Sequence, residues 1–113
     1  MKYKWKRGDV HVLLPNAIIN LSAPLLWLDQ LPDGRLLITT LFDELTPKEQ
    51  TNVFVYYSTG MLEREIFIEE NARPVRFMGS EQEDGQVRLL GTNGTKYTLN
   101  TNNWTVDGSQ YYR

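Results

Sequence analysis

The chain has 113 residues, with 14 acidic against 12 basic side chains, a net charge of −2, one histidine and no cysteine. This length fits one domain, 1–113, large enough to fold without covalent staples. The composition excludes disulfides, cysteine nucleophiles, thiolate metal sites and a multi-histidine metal site within one chain. It also lacks the basic excess of a dedicated duplex-binding domain, and no cofactor is expected.

The first segment, KYKWKR at 2–7, alternates strictly. Extended, it places Lys2, Lys4 and Lys6 on one face and Tyr3 and Trp5 on the other. Lysines on a strand edge guard against aggregation, so the segment reads first as an edge strand. Tyr3, Lys4, Trp5, Lys6 and Arg7 are at the same time the candidate binding patch. Gly8 and Asp9 follow, and the apolar run from Val10 stops at Pro15, which is not a signal-peptide pattern. Apolar stretches elsewhere fall short of the roughly 20 residues that span a bilayer. A soluble, cytoplasmic protein without a membrane partner is expected.

Residues 8–14 read as a strand with Val10, Val12 and Leu14 on one face and Asp9, His11 and Leu13 on the other. LLWLDQ and RLLITTLF, joined through Pro32-Asp33-Gly34, read as a hairpin. Thr46 as N-cap, Pro47 at the first helical position and Glu49 at the third predict at most one short helix near 46–51. Strands at 52–58 and 62–69 follow, joined by Ser58-Thr59-Gly60. The second alternates Leu62, Arg64, Ile66 and Ile68 against Glu63, Glu65, Phe67 and Glu69. QVRLLG and TKYTLN flank Thr92-Asn93-Gly94, the strongest local hairpin signal, because Asn and Gly both tolerate positive φ. The stretch NNWTVDGSQYYR adds a last strand or strand pair. About eight or nine short strands with turn signals between them predict an all-β, single-domain antiparallel barrel or roll connected mainly by hairpins.

The residues offer little convergent chemistry. His11 with Asp9 is the one base-and-orienter pair, and no serine or threonine sits in a nucleophile motif. Asp43-Glu44, Glu69-Glu70 and Glu83-Asp84 are neighbours, and neighbours on a strand point to opposite faces. Glu63 and Glu65 share a face about 7 Å apart by strand geometry, and read as a charged outer face. There is no calcium-loop spacing and no glycine-rich phosphate loop. No enzymatic activity and no metal are expected.

Aromatic residues make up 12% of the chain, which raises a second candidate site. Trp27, Trp104 and Tyr111 are expected to line a pocket if they converge at a barrel end. Arg73, Arg76 and Arg88 form a second basic set. Arg73 and Arg76 are three apart, which on a regular strand places them on opposite faces.

KRGDVHVLL resembles the opening strand of MazF-like toxin endoribonucleases, where Gly-Asp after a basic residue leads into a small barrel; SH3-like barrels share the same opening. The resemblance implies a small barrel that binds or cleaves RNA through the basic N-terminal segment. That family's Gly-x-Glu-x-x-x-Arg-Pro stretch is reversed and displaced here, with Arg73-Pro74 ahead of Gly79-Ser80-Glu81. No catalytic residue carries over. The leading expectation is a non-catalytic module for protein–protein interaction or an accessory role, with a protein partner or self-association as a homodimer. A nucleic-acid or a small-molecule ligand is the alternative.

Overall fold

Turn chemistry and alternation cut the chain into twelve short strands in a computed structural model that describes residues 5–41 and 51–111, with no helix among them. β1 (His11–Leu14) and β2 (Ala17–Asn20) form an N-terminal hairpin. β3 (Leu25–Gln30), β4 (Leu36–Thr40), β5 (Val53–Tyr56) and β6 (Leu62–Glu65) form an antiparallel sheet in that order. β7 (Glu69–Glu70) and β8 (Arg73–Pro74) are the arms of a tight hairpin. The second large sheet has the order β12-β11-β10-β9, built from β9 (Phe77–Glu83), β10 (Gln86–Gly91), β11 (Thr95–Leu99) and β12 (Val106–Tyr111). The all-β expectation holds. The short helix predicted near 46–51 falls almost wholly on residues outside those described.

Packing follows from β4, whose five residues LLITT are all buried. Leu36 and Ile38 join Leu25, Leu28, Val12, Leu14 and Ile19 in the cluster under the N-terminal hairpin. Leu37 joins Val53, Val55, Phe77, Leu89 and Tyr97 in the cluster between the two large sheets. A strand covered on both faces reads as a continuous apolar run, which is why β4 lacks an outward polar set. Each such side chain contributes about 1.5–3 kcal/mol on burial.

The large sheets do not close into a hydrogen-bonded barrel. Their edges β3 and β9 are not paired with one another. Side chains join them instead: Ser80 Oγ donates to Asp29 Oδ2 at 2.5 Å, and Gln82 Nε2 donates to the Gln30 carbonyl at 2.8 Å. The Trp27 ring lies against Gly79, at van der Waals distance from where a Cβ there would stand. Asn52, buried ahead of β5, completes the junction. Its amide donates to the carbonyls of Thr40 and Phe77 at 2.8 and 2.7 Å and accepts the Phe77 N–H at 3.0 Å. A fully satisfied buried amide of this kind fixes the register between two sheets.

Two sequence expectations change. Residues 5–8 of the basic segment are not a strand: Asp9 Oδ2 accepts the Lys6 N–H at 3.0 Å, and Gly8 turns the chain with φ 96°. The regular strand expected over 62–69 is interrupted. Val55 pairs with Arg64 and Tyr56 with Leu62, so Glu63 is the extra residue of a bulge. A bulge re-aims its side chain, and Glu63 is largely buried where the alternation placed it in water.

Candidate functional site

The hairpin formed by β7 and β8 turns on Asn71 and Ala72, with φ 53° and 60°. Two successive left-handed residues make a primed turn, the kind that matches the twist of paired strands. Glu70 pairs with Arg73 across it, and the Val75 N–H continues the ladder to the Ile68 carbonyl at 2.8 Å. The next residue, Arg76, accepts the Thr92 N–H at 2.9 Å. That bond ties the hairpin to the loop between β10 and β11. The loop itself is compact. A Cβ at Gly91 would lie 2.5 Å from Asn93 Oδ1 and 3.0 Å from the Thr95 carbonyl, so only glycine fits.

Between hairpin and loop lies a cleft of about 570 Å³ lined by Glu70, Arg73, Arg76, Thr92, Asn93 and Tyr111, among others. Glu70 is pinned to one wall. Asn93 Nδ2 and Tyr97 Oη both donate to Glu70 Oε2 at 2.9 Å. Burial raises the Tyr97 phenol pKa above its usual value; the Asn93 hydrogen bond opposes that rise and the Glu70 carboxylate adds to it. Arg73 and Arg76 form no ion pair among the described residues, although Glu70 stands directly opposite Arg73 in the register. The cleft thus presents guanidinium donors that no acid among the described residues takes.

The cleft opens beside the end of β12. All six residues of β12 are exposed, and Tyr111, at 82% exposure, belongs to both strand and cleft. β12 pairs with β11 on one side. No described strand pairs with its other side. VDGSQY carries neither lysine nor proline; its guard is Asp107, the extra residue of a bulge opposite Thr98 and Leu99, and the stretch from Gly108 to Tyr111 carries none.

The other expected site residues lie elsewhere. Tyr3 and Lys4 fall outside the described residues. Lys6 and Arg7 are exposed in the turn before β1. Trp5 meets Trp27 edge to face, ring centroids 5.3 Å apart, and Trp27 Nε1 donates to Asp29 Oδ2 at 3.1 Å. Trp104 is in a different place. It is buried, its Nε1 donates to Glu63 Oε2 at 2.9 Å, and Arg35 stacks 5.0 Å above its ring. Trp27, Trp104 and Tyr111 therefore do not share one pocket; only Tyr111 lines the arginine cleft. Arg88 is also apart, held by Glu81 at 3.4 Å and Gln86 at 2.6 Å.

His11 and Asp9 do not form a catalytic pair. His11 Nδ1 is 2.7 Å from Asn20 Oδ1, and Asp9 is turned to the Lys6 backbone. Among the described residues, no group of three or more histidine or acidic side chains is placed to hold a metal. None of the described residues forms a helix long and apolar enough to cross a membrane. Set against known proteins, the chain matches no family profile, no curated protein and no solved structure.

Proposed function

We propose that this small β-roll is a non-catalytic protein–protein interaction module that receives an extended segment of its partner along the free edge of β12. The observation that carries this reading is the edge itself, six exposed residues whose outer side is unpaired among the described residues and unguarded by lysine or proline. Strand addition uses main-chain hydrogen bonds for affinity and nearby pockets for specificity. The arginine cleft stands at the end of the strand, where a pocket of that kind belongs.

Proline on β12 tests the reading. Consecutive N–H groups of a strand point to opposite sides. One of Ser109→Pro and Gln110→Pro therefore removes an outward donor, while the other cuts the ladder to β11. The variant that keeps the wild-type unfolding midpoint is the informative one. Proteins captured from the native host by wild-type chain are expected to be lost with that variant. An identical captured set would refute strand addition at β12.

A further inference from the structure

We infer that the cleft between the β7–β8 hairpin and the β10–β11 loop seats a carboxylate of the partner's added segment, so that the partner is a protein presenting an extended segment with one acidic side chain where it meets the cleft. The inference rests on the strand-addition reading and names the chemistry of the partner at that same site.

Position is the first argument. Tyr111 is the last described residue of β12 and lines the cleft. The rest of the lining lies on the β11 side of Tyr111, where Thr95 pairs with it, so a side chain of a segment added along β12 reaches the cleft past Tyr111. Charge is the second. Arg76 is half-buried and Arg73 exposed, both on the cleft wall, and neither has an acid partner among the described residues. The nearest acid in register, Glu70, is held by Tyr97 and Asn93 through one of its oxygens. It is a positioning residue in this scheme. Anchored to the wall, it leaves both guanidiniums without an acid among the described residues and open to an incoming anion.

Guanidinium geometry matches a planar carboxylate through paired N–H donors. A nucleic-acid strand is the weaker fit. It needs a positively charged groove that tracks many phosphates. Here the arginines are flanked by Glu69 and Glu70, and the chain is negative overall. One anion is accommodated where a polyanion meets repulsion on either side.

The experiment pans a displayed library of random linear peptides on the intact chain. The enriched sequences are then measured by fluorescence anisotropy against wild type, Arg73→Gln, Arg76→Gln and the folded β12 proline variant. Recovered peptides are expected to carry Asp or Glu at one recurrent position. Changing that acid to its amide, or Arg76 to Gln, should weaken binding at least about tenfold, as loss of one member of a desolvated charge pair does. Binding should also vanish with the proline variant. Peptides that bind without an acid preference, or equally to Arg76→Gln, overturn the inference and leave strand addition standing if the proline variant still abolishes binding. Displacement of a bound peptide by an oligouridylate at matched ionic strength overturns it in favour of nucleic acid. A panning that enriches nothing removes strand addition together with the inference.

Discussion

Arg35 and Arg76 are both partly withdrawn from water, and the chain treats them in opposite ways. Arg35 lies between the two large sheets with its side chain 19% exposed. Its donors go to Asp33, to Glu63 at 3.0 Å and to the Thr101 carbonyl at 3.2 Å, and its plane covers Trp104. The Asp33 hydrogen bond raises the guanidinium pKa further, and in return holds the Asp33 carboxyl below its usual value. Arg76 has no such partner among the described residues. The difference is not a shortage of acids, because Glu70 lines the same cleft and is bound to Tyr97 and Asn93 instead. An arginine used to hold a fold has its donors assigned inside the fold. One whose donors are left open, while an adjacent acid is tied back, is available to a ligand.

The same substitution at each position separates the two roles. Arg35→Gln is expected to have the largest effect. It removes the charge that compensates Glu63, which is only 13% exposed and would keep just the Trp104 N–H. Leaving such an acid without its partner costs about 2–3 kcal/mol, toward the lower end of the range for broken buried pairs because some solvent reaches it. Urea unfolding reads this directly as a lower midpoint at unchanged slope. A midpoint equal to wild type would erase the contrast.

A smaller effect, of opposite sign, is expected at the turn that carries Arg73. Ala72 holds φ 60°, a conformation that costs an L-residue about 1–2 kcal/mol and glycine almost nothing. Glycine loses more chain entropy on folding, so Ala72→Gly is expected to stabilise by about 0.5–1 kcal/mol net. A lower midpoint would show that the strain at Ala72 is not relieved by glycine. Peptide binding should survive this substitution, because the arginines do not change.

The turn also shows where sequence reasoning reached its limit. Pro32-Asp33-Gly34, Ser58-Thr59-Gly60 and Thr92-Asn93-Gly94 announced their hairpins, since each carries a residue suited to the required backbone. Asn71-Ala72 makes a primed turn without glycine, and Pro74 stands two residues on, so local chemistry concealed the hairpin that builds the cleft. A three-residue spacing placed Arg73 and Arg76 on opposite faces of one strand. β8 ends at Pro74 and β9 begins at Phe77, and across that break both side chains reach the same cleft. Glu63 escaped for a related reason, because period-two alternation cannot register a bulge. Trp104 stood out as an aromatic, but only the bulged Glu63 and distant Arg35 give it a buried polar role. Of the residues expected to line one pocket, Tyr111 lines the cleft without Trp27 and Trp104, because a shared barrel end never forms. The basic segment at 2–7 drew attention by composition, while Gly8 and Asp9, which turn its end, were visible without their consequence being evident.

Arg76→Gln closes the comparison with the smallest expected change in stability. Gln keeps much of the apolar stem, and no ion pair among the described residues is lost. The unfolding midpoint should therefore stay within about 0.5 kcal/mol of wild type, the usual range for substitutions that break no network. Removing a part-buried charge that lacks a partner has no cost in lost attraction, and a slight gain is consistent with relief of desolvation. Binding should move while stability does not, the reverse of Arg35→Gln, whose effect falls on the fold and leaves the cleft residues in place. Were Arg76→Gln to destabilise as much as Arg35→Gln, Arg76 would be a structural cation with partners of its own. The cleft would then have no free guanidinium to offer an incoming carboxylate.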